Sequence, residues 1–144
     1  MRIAMIGSGY VGLVSGACFA QFGHDVVCID KEEGKIARLR KGEMPIYEPG
    51  LDKLVADNVK AGRLSFTTQL DDAVGNADAV FIAVGTPSRR GDGHADLSYV
   101  YAAAKAVGGA LGRNPGGYAV VVLKSRLFAL SAARATTPTD AALT

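Results

Sequence analysis

The chain has 144 residues, of which 49% are hydrophobic and 21% charged, so it is long enough to bury a core and is not disordered as a whole. Sixteen Lys and Arg against 14 Asp and Glu give a net charge of +2, too small an excess to predict nucleic-acid binding. The sequence contains no apolar run of membrane-spanning length and no signal-peptide pattern, so no membrane association is expected. Its two cysteines form neither a disulfide framework nor a metal-ligand spacing, which predicts a cytoplasmic location and no metal site.

The first half of the chain alternates short apolar runs with helical stripes. Residues 3–6 predict a buried strand, and the spacing of apolar residues over 11–22 predicts a helix that lies on the sheet. The predicted inward stripe of this helix is Val11, Val14, Cys18, Phe19 and Phe22. Gly23-His24 ends the helix, and residues 26–29 predict a second strand. A short helix with Ile36 and Leu39 facing inward should end at Gly42, a typical left-handed cap position.

The second half continues this alternation after an ordered loop over residues 44–50. The predicted elements are a helix marked by Leu51, Leu54 and Val55, a strand over 64–67, a helix over 71–76, a strand over 79–84, a glycine-rich loop over 85–95, a helix from Leu97 to Leu111 and a strand over 118–123. Strands that alternate with helices predict an α/β fold. We expect a doubly wound, mainly parallel sheet with helices on both faces.

A glycine motif joins the first predicted strand to the first helix. Residues 7–12 read Gly-Ser-Gly-Tyr-Val-Gly, a G-x-G-x-x-G pattern. Gly7 permits a tight turn, Gly9 lets the backbone approach a pyrophosphate, and Gly12 lets the helix pack close to the strand. The N–H groups and the dipole at the start of the helix favour phosphate charge. Because strand, turn and helix follow in this order, the motif predicts a Rossmann-like dinucleotide site that includes Gly7, Gly9, Tyr10, Val11 and Gly12.

An acidic residue stands where such a site needs one. Asp30 ends the second predicted strand, 18 residues after Gly12, where a carboxylate accepts hydrogen bonds from the adenine ribose. Its charge would repel the additional phosphate of NADP, so NAD is the predicted cofactor. The alternative is that Asp30 only caps the next helix and that Gly9 is an ordinary turn glycine. The combination of strand, glycines, helix and acid favours the dinucleotide site.

Further segments carry a family resemblance. They are residues 7–13 (GSGYVGL), Asp30 with Lys35 and Ile36, residues 44–51 (MPIYEPGL), residues 84–87 (VGTP) and residues 95–100 (ADLSYV). Through them, residues 1–125 resemble the N-terminal NAD-binding domain of the UDP-glucose 6-dehydrogenases, within the wider UDP-glucose/GDP-mannose dehydrogenase family. Tyr47 makes its loop more similar to the UDP-glucose branch. The GDP-mannose 6-dehydrogenases remain an alternative, because sugar-nucleotide discrimination in the family lies mostly in the C-terminal half.

This resemblance implies an enzyme that oxidises the C6 alcohol of UDP-glucose to a carboxylate with two NAD and supplies UDP-glucuronate for polysaccharides. It also implies NAD contacts at Val11, Asp30, Lys35 and Thr86. The residues themselves agree for Thr86, which follows the fourth predicted strand at the edge where ligands collect in such sheets. From the residues alone, Lys35 is equally consistent with a solvated helix position, and only the resemblance favours a cofactor contact.

Other chemically capable residues are not expected to act in catalysis. Cys18 and Cys28 are predicted to be small buried residues, since the family's nucleophilic cysteine belongs to the C-terminal half. His24 and His94 are predicted on the surface, and Arg89 and Arg90 in a solvated loop rather than on a phosphate. Glu48 is expected to order its own loop.

The chain departs from the family pattern after Lys124-Ser125. The family continues Lys-Ser-Thr-Val-Pro-x-Gly-Thr, but Arg126 stands where the cofactor-contacting threonine is expected. Residues 126–144 are therefore predicted to be a divergent, frayed or disordered tail of a truncated or frameshifted frame. The dimer-forming helix and the sugar-nucleotide domain would then be missing, and this chain alone would be inactive. The alternative is a stand-alone NAD-binding module without chemistry.

Overall fold

The computed structural model describes residues 1–88, 94–113 and 118–124. Along this part of the chain, the elements are β1 (Arg2–Ile6), α1 (Tyr10–Gln21), β2 (Asp25–Ile29), α2 (Glu33–Arg40), α3 (Leu51–Lys60), β3 (Leu64–Thr67), α4 (Leu70–Gly75), β4 (Ala79–Ile82), α5 (Ser98–Gly112) and β5 (Val120–Leu123). Every predicted element is present, with small shifts at the ends. The predicted loop positions Arg89 and Arg90 and the tail over 126–144 lie outside the described residues.

The five strands described form one sheet in the order β3-β2-β1-β4-β5, and all neighbours are parallel. The chain runs outward from β1 to β3 and then crosses back to β4 on the other side of β1. This reversal creates a switch point at the carboxyl ends of β1 and β4, where open α/β sheets bind their ligands. The predicted Rossmann-like, doubly wound α/β fold is confirmed.

Hydrophobic cores cover both faces of the sheet. On one face, α1, α2 and α3 pack on the strands, with Leu13, Ile36 and Val55 at most 2% exposed. On the other face, α4 and α5 bury Val74 and Val107 against β1 and β4. Each such aliphatic side chain stabilises the fold by about 1.5–3 kcal/mol through burial. The strand that leads into the glycine motif, β1, therefore contributes side chains to the core on each face.

The predicted inward stripe of α1 is wrong. The buried residues are Gly12, Leu13, Gly16, Ala17 and Ala20, whereas Val11, Val14, Cys18 and Phe19 are half-buried and Phe22 is 76% exposed. The reason is the closeness of the helix to the sheet, because a Cβ atom at Gly16 would lie only 2.8 Å from the sulfur of Cys28. Apart from Leu13, small residues therefore face the strands, and the larger apolar ones lie along the flanks.

The connection from α2 to α3 is ordered by packing at both ends. Gly42 has φ +82°, which confirms the predicted left-handed cap of α2. Met44 and Ile46 are half-buried against the core formed with α1, α2 and α3. This fixes the loop beside the start of α1.

Among the helices of the described residues, none combines the length and the hydrophobicity that a transmembrane span requires.

Candidate functional site

The turn between β1 and α1 is held by backbone contacts to both neighbouring strands. Gly7 has φ +98°, a left-handed conformation that disfavours any residue with a side chain. Its N–H donates to the carbonyl of Ile29 at 2.7 Å. A Cβ atom at Gly7 would approach the carbonyl oxygen of Ala83 to 2.8 Å. The turn is thus packed between the carboxyl ends of β2 and β4.

The second and third glycines of the motif meet different surroundings. A Cβ atom at Gly12 would collide with the carbonyl oxygen of Gly7, so the internal packing of the turn requires this glycine. Apart from its chain neighbours, no atom of the described residues would lie within 4 Å of a Cβ atom at Gly9, and Gly9 has an ordinary φ of −77°. The space at Gly9 is therefore open on the ligand side, as a backbone that approaches a pyrophosphate requires.

The N-terminus of α1 faces this open space. Gly9 is its N-cap and has no side chain to accept a hydrogen bond, and the first turn contains no acidic residue. The first N–H groups of an α-helix lack acceptors within the helix, and together with the dipole they favour an anion. The start of α1 is thus suited to a phosphate group.

Asp30 connects the turn to the end of β2. Its Oδ2 accepts hydrogen bonds from Ser8 N at 3.0 Å and Ser8 Oγ at 2.8 Å, and from Lys35 Nζ at 3.0 Å. Its Oδ1 accepts the N–H of Glu32 at 3.1 Å. Burial raises the pKa of Asp30, but the hydrogen bonds from Ser8, Lys35 and Glu32 outweigh this effect and hold it below its ordinary value. The carboxylate is therefore ionised at neutral pH.

The alternative that Asp30 only caps α2 is not supported, because the N-cap is Glu32 and α2 has no side-chain cap hydrogen bond. Three donors converge on Oδ2, whereas Oδ1 receives one. Among the described residues Oδ1 has fewer donors than Oδ2, so Oδ1 is the oxygen better placed to accept a ribose hydroxyl when a cofactor binds. The arrangement fits the predicted dinucleotide site.

The two side chains that donate to Asp30, those of Lys35 and Ser8, are not equally evident from the sequence. Lys35 has a side chain only 26% exposed and lies 3.0 Å from Asp30, so it is not a freely solvated residue. Ser8 was not singled out from the sequence, although it is completely buried and donates twice to Asp30. The sequence feature that indicates this role is the position of a hydroxyl residue between the first two glycines of the motif.

Tyr10 and Glu48 form a second link around the turn. The Tyr10 hydroxyl donates to the Glu48 carboxylate at 3.0 Å. Glu48 thus does more than order its own loop, since it connects that loop to the first residue of α1. The connection places the segment before α3 beside the glycine motif.

Thr86 lies in the segment that follows β4. This segment begins where Ala83 N donates to the carbonyl of Ile6, so it leaves the sheet next to β1. Farther along, Asp96 N donates to the carbonyl of Pro87 at 2.7 Å, and Ser88 pairs with Ala95 in an antiparallel bridge. Thr86 is half-buried and lies at the same carboxyl edge as the Gly7 turn.

The two thiols differ from each other. Cys28 is completely buried, and burial raises the pKa of its thiol to about 12, so it stays protonated and inert. The prediction of a buried residue is wrong for Cys18, which is half-buried because it lies on the flank of α1 rather than against the sheet. His94 is exposed, as predicted, and His24 is half-buried. Within the described ranges, no cluster of His, Cys, Asp and Glu is suited to a metal ion.

A parallel sheet with a glycine turn at its switch point, an open helix N-terminus and an ionised carboxylate on the next strand defines a dinucleotide-binding domain of the Rossmann type. Residues 1–139 match the NAD binding domain of the UDP-glucose/GDP-mannose dehydrogenase family. The chain belongs to this family, and its cofactor is NAD.

Known proteins similar to this chain are nucleotide-sugar dehydrogenases. The chain is 68% identical over 125 residues to the UDP-glucose 6-dehydrogenase of Rhizobium meliloti, a match covering 87% of this chain and 28% of that protein. A GDP-mannose dehydrogenase structure from Pseudomonas aeruginosa has a TM-score of 0.82 and 40% identity, covering 87% of this chain and 28% of that one. A UDP-glucose dehydrogenase from Pyrobaculum islandicum has a TM-score of 0.80 and 46% identity, covering 85% and 28%. The matches thus span little more than a quarter of these relatives.

Proposed function

We propose that these residues form the NAD-binding part of a UDP-glucose 6-dehydrogenase, which oxidises the C6 alcohol of UDP-glucose to a carboxylate with two NAD. The 68% identity to the Rhizobium meliloti enzyme supports this branch over the GDP-mannose branch. The structural observation that carries the proposal is the Ser8–Asp30–Lys35 network next to the open space at Gly9. The proposed location is the cytoplasm, and the proposed product is UDP-glucuronate for polysaccharides.

The fit of NAD rests on the geometry of the turn. Gly9 leaves space for a pyrophosphate, and the proposed contacts to it come from Gly7, Gly9, Tyr10, Val11 and Gly12. When bound, NAD supplies the acceptor for a hydride from the substrate. The role proposed for Asp30 is to accept a ribose hydroxyl, and that of Lys35 is to hold the Asp30 carboxylate in place. Thr86 is proposed to contact the cofactor after β4.

Discrimination against NADP follows from the charge of Asp30. A 2′-phosphate next to an ionised carboxylate would be repelled, and Lys35 is already engaged by Asp30 at 3.0 Å. The bound cofactor should therefore be NAD rather than NADP.

The proposal assigns to these 144 residues the cofactor-binding step only. Formation of a carboxylate through a thioester requires a reactive thiolate. Cys28 is buried with a pKa of about 12, and Cys18 lies half-buried on the flank of α1. Neither thiol is suited to that role.

The decisive experiment is a calorimetric titration of the purified chain with NAD and with NADP, followed by an assay of NADH formation with UDP-glucose or GDP-mannose. We expect NAD to bind at least about tenfold more tightly than NADP, and neither sugar nucleotide to be oxidised. Absence of NAD binding, or equal affinity for the two cofactors, would overturn the assignment of Asp30. Turnover that disappears in Cys18→Ser would overturn the restriction to cofactor binding.

A further inference from the structure

A cation and an aromatic ring meet across the carboxyl edge of the sheet. The Lys31 ammonium lies 5.2 Å from the centre of the Tyr99 ring. Lys31 follows Asp30 directly at the end of β2, and Tyr99 lies in the first turn of α5. Two elements that are remote in sequence therefore converge beside the carboxylate that is proposed to hold the ribose.

The adenine of a bound NAD must lie in this region. In a dinucleotide the base is attached directly to the ribose, so a ribose on Asp30 places the adenine within a few ångströms of the end of β2. Lys31 and the start of α5 are the elements next to this point, since the Lys31 ammonium contacts the Tyr99 ring. Tyr99 is 46% exposed, so part of its ring is available to a ligand.

We propose that the ring of Tyr99 is the platform on which the adenine of NAD stacks, with the Lys31 side chain displaced from the ring when the base binds. This inference rests on the proposed function. A purine has a flat π-face and stacks readily on aromatic side chains. Lys31 is exposed, and a cation over an exposed ring is held only weakly, so the base replaces it at small cost.

Three other exposed tyrosines do not fit this role. Tyr101 lies two positions along α5, on a different side of the helix, and is 62% exposed. Tyr10 is hydrogen-bonded to Glu48, and Tyr47 belongs to that same loop beside α1. Tyr99 thus combines an exposed ring with a direct contact to the residue next to Asp30.

The test compares Tyr99→Ala, Tyr99→Phe, Lys31→Ala and the matched control Tyr101→Ala in the full 144-residue chain. NAD, AMP and nicotinamide mononucleotide are titrated into each variant, and thermal unfolding is followed by circular dichroism. We expect Tyr99→Ala to weaken NAD and AMP by about tenfold, within the range found for a base stacked on an aromatic side chain. Tyr99→Phe, Lys31→Ala and Tyr101→Ala should stay within about twofold of the original chain, and nicotinamide mononucleotide should be unaffected throughout.

The possible failures are distinguishable. If the unmodified chain binds no NAD, the proposed function fails and the adenine platform with it. If the unmodified chain binds NAD but a folded Tyr99→Ala variant binds AMP equally well, the platform alone is refuted. A loss in Lys31→Ala as large as in Tyr99→Ala would also refute it, because the contact rather than the ring face would then matter.

Discussion

The two parts of the cofactor cleft are built in different ways. At the first, the turn over residues 7–12 is fixed by close backbone contacts and by the bonds from Ser8 to Asp30. At the second, the segment after β4 contains a backbone bond from Asp96 N to the carbonyl of Pro87 and an antiparallel bridge between Ser88 and Ala95, and residues 89–93 lie outside the described ranges. The first part therefore has its geometry before any ligand arrives, so binding costs little conformational entropy there. We expect most of the cofactor affinity to come from this part.

The largest effect is expected from Gly12→Ala. The added Cβ atom would collide with the carbonyl oxygen of Gly7, and backbone atoms in a packed turn cannot move aside. We expect a loss of unfolding free energy of about 3 kcal/mol or more, measured by urea denaturation. The matched control is Gly9→Ala, which places the same methyl group in open space and should change stability by less than about 0.5 kcal/mol. Equal stability of the two variants would show that the turn is not packed as described.

Gly9→Val should abolish NAD binding while the chain still folds. The position has an ordinary φ, and in the part of the chain that the structure describes only its chain neighbours would come within 4 Å of a Cβ atom, so the variant should fold normally. The branched side chain would fill the space proposed for the pyrophosphate, and NAD binding should fall below detection in a calorimetric titration. Circular dichroism monitors the fold. Undiminished NAD affinity in the folded variant would exclude this turn as the phosphate site.

Asp30→Ala tests the network between the turn and β2. It removes the proposed ribose acceptor and leaves the N–H and hydroxyl of Ser8 without their partner, so NAD should bind about tenfold or more weakly. Affinity for NADP should fall less, since the repulsion of its phosphate is also removed. The control is Asp25→Ala, an exposed carboxylate at the opposite end of β2. If the ratio of NAD to NADP affinity is unchanged in Asp30→Ala, Asp30 does not contact the adenine ribose.

The smallest effect is expected at the second part of the cleft. Thr86→Ala removes one hydroxyl from the segment after β4, and NAD affinity should fall by about threefold, the value of one neutral hydrogen bond. Ser88→Ala, an exposed hydroxyl two residues farther along, is the control and should leave the affinity unchanged. A loss at Thr86 that exceeds the loss at Asp30 would reverse the expected ranking of the two parts.

The sequence predicted the fold well because its signals are local. Strand and helix periods, the turn glycines and the position of Asp30 all depend on neighbours along the chain. The predicted inward face of α1 is wrong because apolar character alone does not determine which side of a helix faces the sheet. Steric fit to the sheet decides that face, and the space beside Gly16 is limited by Cys28 on β2.

The bonds that organise the site were less accessible from the sequence. Ser8 donates to Asp30 across 22 residues, and Tyr10 donates to Glu48 across 38. Such pairs depend on how the elements pack, which no local pattern reports. Only the family resemblance indicates a role for Lys35, whose ammonium lies 3.0 Å from the carboxylate of Asp30.

The central position of β1 has a consequence for the order of folding. The pairing of β1 with β2 closes a short loop that contains only α1. Its contact with the start of β4, from Arg2 N to the Asp78 carboxylate, closes a loop of 76 residues. Closing a long loop costs more chain entropy and slows the step that depends on it. During refolding, residues 2–67 should therefore assemble first and bring Ser8 to Asp30 before β4 arrives. Ala83 would then be added against a turn whose carboxylate is already in place.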